Sequence, residues 1–195
     1  MGWGVCRAFR SGGDEEEAEA QGFRLGVAAT VGFFLGAVWI ASDLLFSRLH
    51  YLGSIPHPPL KTALLGSFVG GGVQELAFRL VFLGGGMWVL TRKDYIRGFD
   101  ETKKQVVLFW GLAMGAALLS FAVYLPVRSA QFGLSSVFEL PLALWLHLLV
   151  FYGVLGLVMA ILIKRHGFWT ALGAHCAALV LWDVLWGQVW WSCLF

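Results

Sequence analysis

Charge is what this chain has least of. Only 13% of its 195 residues are Asp, Glu, Lys or Arg, 58% are apolar, and the mean hydropathy is +0.74. So little polar surface cannot cover a folded chain in water, which excludes an ordinary soluble domain and makes lipid the solvent. Cysteine is scarce as well: Cys6, Cys176 and Cys193 form no CxxC spacing, and Cys176 falls inside an apolar stretch. Neither a zinc site nor a disulfide framework is indicated. No apolar core precedes residue 22, so a cleavable signal peptide is not expected, and Arg24 ahead of the first apolar run reads as an uncleaved signal anchor. Gly2 opens an acylation-like start, but Cys6 stands where the myristoylation pattern has Ser or Thr. The net charge is +2, and the basic residues flank apolar runs without forming a patch, so nucleic acid is not an expected partner. Beyond the acidic run Asp14 to Glu17 there is no low-complexity segment, and there is no repeat of solenoid length.

What is present in quantity is long apolar sequence. Five segments, 22–49, 60–90, 105–126, 137–163 and 168–195, each reach the ~20 residues needed to cross ~30 Å of hydrocarbon. The fold expected is an all-α, polytopic membrane helix bundle. Residues 1–21 form a polar arm, 22–49 the first transmembrane helix, and 60–195 a four-helix core with the first span at its side. Five spans put Arg7, Arg10, Arg24, Arg92, Lys93, Arg97, Lys103, Lys104, Lys164 and Arg165 on one side and Arg48, Lys61 and Arg128 on the other. Basic residues accumulate in cytoplasmic loops, so the N-terminus is expected inside and the C-terminus outside. Gly66 with Gly70, and Gly111 with Gly115, have the spacing that lets helix backbones approach closely in lipid. Gly70, Gly71 and Gly72 on one side of the segment 74–79, with Gly84, Gly85 and Gly86 on the other, point to a kink or tight contact there.

Ionisable groups within apolar spans are rare and usually functional, and Glu75 and Arg79 stand four apart inside the second span. Counting ~1.5 Å of rise per residue from the cytoplasmic end of each span puts Glu75 ~22 Å deep, Arg79 ~17 Å, His147 ~24 Å and Asp183 ~22 Å. On the same count His175 comes at ~10 Å and Tyr124 at ~28 Å. Glu75 and Arg79 form an i,i+4 pair in the favourable order, and His147 and Asp183 belong to one central layer with them. His147 and His175 differ by ~14 Å in depth, too far to ligate both faces of one haem. One chlorophyll-like ligand on either histidine stays open, but a lone buried histidine is more often a hydrogen-bonded packing residue, so no cofactor is assigned.

The segment Gln74-Glu75-Leu76-Ala77-Phe78-Arg79 resembles the Glu-Glu-x-x-x-Arg motif of the CPBP family, the CAAX prenyl proteases and bacteriocin-processing (Abi) proteins. Phe151 to Gly156, then Lys164 to Trp169 and Gly173-Ala174-His175, are similar to that family's last two core helices. The resemblance spans residues 60 to about 185. It implies an intramembrane endopeptidase in which paired glutamates and two histidines activate a water, with an asparagine helping to hold the oxyanion. Glu75, Arg79 and His175 match that set. Gln74 replaces the first glutamate, Tyr124 falls at the motif-two histidine, and Leu179 stands where asparagine belongs. Glu75 with His147 and Asp183 is an alternative constellation.

Losing members of a cooperative catalytic set removes most of the rate, so the expectation is a fold relative without peptidase activity that serves as a subunit or scaffold. Its partners would be the lipid bilayer and another integral membrane protein, met through the stripe Trp182, Trp186 and Trp190. The competing expectation is an active CAAX-type endopeptidase using Glu75 and His175.

Overall fold

The computed structural model describes residues 14–97 and 102–190, with side chains over 19–91 and 104–188. Gly2, Cys6, Cys193 and the side chain of Trp190 lie outside that range. Every element of two residues or more among the described residues is helical, and none is a strand. Five helices are long and apolar enough to cross a membrane, so the chain has the build of a multi-pass membrane protein. They are α1 (Asp14–Phe46), α2 (60–97), α3 (Thr102–Gln131), α4 (Leu142–His166) and α5 (168–190).

The helix boundaries differ from the sequence expectation where backbone chemistry overrides hydropathy. The acidic run opens α1 itself, since acidic residues suit the positive end of the helix dipole. Pro126 does not end α3, which runs on to Gln131. The apolar stretch at 137 is not yet α4: Val137–Glu139 is a single 3₁₀ turn, Pro141 is extended, and the helix starts after it, where a proline lacking its N–H costs least. A one-residue link, Gly167 at φ 90°, turns α4 into α5, a conformation open to glycine and strained for other residues.

α2 and α5 are not uniform α-helices. Residues Gly66–Gly70 and Glu75–Gly85 of α2, and Val180–Trp190 of α5, are wound as π-helix. Each π turn holds more residues than an α turn, so the helix is wider and shorter, and glycine lowers the cost of distortion at its ends. The clustered glycines of α2 thus mark a change of winding.

α5 lies at the centre, packed against α1, α4 and α2, while α3 joins α2 to α4. The sequence puts the first span beside a four-helix core; in the structure α1 runs along α5 and adds Leu35 and Trp39 to the main buried cluster. That approach uses small residues. A Cβ on Gly32 would lie 2.5 Å from the Ala174 carbonyl oxygen and 2.6 Å from Ala177 Cβ, and one on Gly36 would lie 2.8 Å from Leu181 Cδ2. Lipid gives helices no hydrophobic reason to associate, so this close van der Waals contact is what holds α1. The glycines singled out by spacing behave otherwise: Gly66, Gly70 and Gly111 have no atom within 4 Å of a would-be Cβ, and Gly115 meets only Phe82. Four-residue spacing shows that a small face exists; it does not say which way the face points.

Gly32→Ala should therefore destabilise the protein by about 1–3 kcal/mol through overpacking against the Ala174 carbonyl. Gly66→Ala should be neutral or mildly stabilising, because alanine is the better helix former. Thermal unfolding in detergent reads both, and equal effects at the two positions would contradict the packing described.

Candidate functional site

Glu75 begins the π-wound stretch of α2 and is fully buried, 0% exposed. Its Oε1 accepts a hydrogen bond from Nδ1 of His175 on α5 at 2.7 Å, and His175 is also 0% exposed. The Oε2 atom faces Arg79 Nε at 3.7 Å, an ion pair within α2 too long for a hydrogen bond. Arg79 is 2% exposed, and its guanidinium continues toward the wall between α3 and α4. A Cβ on Gly156 would lie 3.5 Å from Arg79 Nη2 and 2.6 Å from Ala117 Cβ, so two small residues on neighbouring helices leave room for the cation. A Cβ on Gly71, one turn before Glu75, would lie 3.4 Å from Cys176 Sγ and 3.3 Å from Leu179 Cδ1, so glycine there lets α5 close on α2.

The structure thus brings Glu75, Arg79 and His175 together. The depth count had separated Glu75 from His175 by ~12 Å, and one reason it failed is that a uniform ~1.5 Å rise overestimates the length of the π-wound stretch 75–85. His147 and Asp183 do not join them. His147 Nε2 is 3.1 Å from Ser42 Oγ on α1, its ring is stacked on Phe46 at 5.0 Å, and Ser42 itself donates to the Trp39 carbonyl at 2.8 Å. Asp183 Oδ1 lies 3.4 Å from His57 Nδ1. Among the described residues neither pairs with Glu75, so the alternative Glu75/His147/Asp183 constellation is not assembled. Tyr124 is also elsewhere, stacked on Tyr152 at 5.1 Å.

His147 and Asp183 instead belong to a second polar region, at the end of the bundle where α1, α3 and α5 finish and α2 and α4 start. A strap, residues 47–59, folds over that end and is tied at three points. Ile55 N–H donates to Asp43 Oδ1 at 3.1 Å, His57 meets Asp183, and Gln188 Nε2 donates to the Pro58 carbonyl at 2.7 Å. The His57 ring lies against Gly187, where any side chain would collide with it. Arg128 donates through Nε to the Tyr152 hydroxyl at 3.1 Å and lies over the Phe151 ring at 5.9 Å. His50 sits in the strap, and burial pushes its imidazole below the usual histidine range, toward the neutral form.

Sequence reasoning missed Asp43, His50, His57 and Arg128 as members of one region. Asp43 carried a signal, an acid inside an apolar span. His57 and Arg128 lie at loop and helix-end positions, where charge is ordinary, and only the fold shows them converging.

The tryptophan stripe requires a correction. Trp182 is 0% and Trp186 7% exposed, and Trp182 packs on Phe151 at 5.8 Å and on the His57 ring at 4.8 Å. The two face the bundle interior and present no docking surface. Their spacing marks the buried side of a central helix, which is where large apolar rings pack best.

Chemically, a carboxylate in contact with an imidazole can share or relay a proton. Among the described residues no group of three His, Cys, Asp or Glu has metal-binding geometry. Removing Arg79 alone would leave a buried carboxylate short of its countercharge. Arg79→Met should cost about 3–5 kcal/mol, and the double change Glu75→Gln with Arg79→Met should cost less. Unfolding midpoints of the two variants in one detergent check this; a double variant no milder than the single one would dissolve the pairing.

Comparison with protein-family models, curated proteins and solved structures returns no match to this chain.

Proposed function

We propose that this chain is a CPBP-like membrane protein without peptidase activity, a subunit or scaffold that holds another integral membrane protein. The observation that carries the reading is the direct 2.7 Å contact between Glu75 and His175, with both side chains 0% exposed. A carboxylate on Nδ1 orients an imidazole whose Nε2 can still act as a base, so a hydrolytic site needs an opening through which water and substrate reach that atom. His175 Nε2 is instead enclosed in the bundle with no hydrogen-bond partner among the described residues.

The surroundings support the same reading. Gln74 has no group that takes up a proton at neutral pH. Tyr124, at the motif-two position, is engaged with Tyr152, away from the pair. Leu179, one turn beyond His175, brings methyl carbons to Gly71 where an asparagine would supply a donor to an oxyanion. Glu75, His175 and Arg79 then serve as an interhelical lock that joins α2 to α5.

A partner helix has a different surface to use. The face of α2 bearing Gly66 and Gly70 is open, flanked by exposed Val69 and Val73, and its glycines let a second backbone approach closely. Purified wild-type protein should cleave neither prenylated nor transmembrane peptides, and Glu75→Gln should lower thermal stability with no cleavage rate to lose. In mild detergent a second membrane protein should co-purify in fixed ratio and be lost on Gly70→Leu. Robust turnover abolished by Glu75→Gln would establish the competing reading, a CAAX-type endopeptidase using Glu75 and His175.

The orientation belongs to the proposal as well. Ten basic residues against three put the N-terminus and the α2–α3 and α4–α5 connections in the cytoplasm, with the strap outside. Single cysteines at the exposed positions Tyr51 and Ser135 should react with an impermeant thiol reagent from outside intact cells, and one at Trp169 should not. Reaction of all three from one side would refute the arrangement.

A further inference from the structure

At the end of the bundle opposite the strap, α3 and α4 part to form a cavity of about 360 Å³ lined by Trp110, Ile161, Lys164 and Arg165. We infer that this cavity is a binding site for the headgroup of an anionic phospholipid. The inference rests on the membrane-spanning build of the bundle and is independent of whether the Glu75 site is catalytic.

The lining divides by polarity along the helix axis. Lys164 and Arg165 lie in the last turn of α4, and Ile161 lies one turn deeper, so a cationic mouth opens onto an apolar wall. Lys164 is held in place: its Nζ sits over the Phe109 ring at 4.9 Å and the Trp110 ring at 5.7 Å. Cation–π contacts orient an ammonium without neutralising it, so its charge remains available to an anion. Among the described residues no carboxylate pairs with either cation. A phosphodiester placed at the mouth would meet both charges, with the bidentate fork of Arg165 suited to two of its oxygens.

The apolar wall selects a lipid over a soluble phosphate ester. Below the mouth, Ile161 on α4 is exposed, and so is Met114 on α3, one turn deeper than Trp110 on the same helix face. That face would carry an acyl chain downward from a phosphate held at the surface, with Trp110 at the level where indoles favour the interface. Basic pockets between transmembrane helices recognise anionic headgroups in this way. Two cations in the last turn of a helix also complement its dipole with no ligand present, and affinity measurements separate the two roles.

The full-length protein in a zwitterionic detergent would be titrated with phosphatidylglycerol, with phosphatidylcholine and with glycerol 3-phosphate, bound lipid being read by native mass spectrometry. The expected result is one phosphatidylglycerol bound in preference to phosphatidylcholine. Lys164→Gln with Arg165→Gln should weaken that binding about thirtyfold at low salt, from roughly tenfold or less per surface cation. Lys164→Arg with Arg165→Lys should retain most of it, and the unfolding midpoint of each variant without lipid reports whether it folds. Equal binding of the two lipids, or unchanged binding by a folded neutral variant, would overturn the site. Glycerol 3-phosphate binding as tightly as phosphatidylglycerol would overturn the lipid as its occupant.

Discussion

A carboxylate placed where water cannot reach it must find its partners in protein, and Glu75 governs this bundle for that reason. Leaving it unpaired at that depth would cost several kcal/mol, on the order of a large part of a domain's net stability. Its two oxygens turn to His175 and Arg79, so α2 cannot leave α5 without exposing an acid to hydrocarbon. The demand spreads outward: Gly71 admits His175 and Cys176 from α5, and Gly156 with Ala117 leaves space for the guanidinium between α4 and α3. Two of the five helices are tied to each other through a single side chain's need for company, and two more leave room for its countercharge.

The fifth is held differently. α1 carries no member of the Glu75 lock, and it joins by shape, with Gly32 and Gly36 against the Ala174 to Leu181 surface of α5. At its far end Asp43 anchors the strap through Ile55, and His57 and Gln188 complete the closure onto α5. The bundle therefore has a buried polar lock within it and a histidine-rich cap over one end. The two are separated by the aromatic group of Trp39, Phe151 and Trp182, whose rings fill the core.

Composition and periodicity are enough to read the five spans, since apolar length is a property of each segment taken alone and lipid rewards it whatever the neighbours do. The presence of Glu75 and Arg79 as an intrahelical pair is equally local, because four residues along one helix bring two side chains to one face. Pro126 inside α3 and the late start of α4 after Pro141 show where local signals mislead by a few residues. Glu75 meeting His175 lay beyond the depth count, in part because π winding changes the rise of α2 without leaving a mark that hydropathy can detect, and in part because the count carries no tilt or offset between helices.

Which faces turn inward was decided by the tertiary structure. The same four-residue spacing is buried at Trp182 and Trp186, in close contact at Gly32 and Gly36, and open at Gly66 and Gly70. The sequence by itself determined that the chain crosses the membrane five times and carries a paired charge within it. Only the packed bundle decided that His175 answers Glu75, that His147 answers Ser42, and that His57 closes on Asp183. Those pairs are 100, 105 and 126 residues apart in sequence. Contacts at that separation depend on how helices rotate and cross, and one-dimensional spacing carries no record of either.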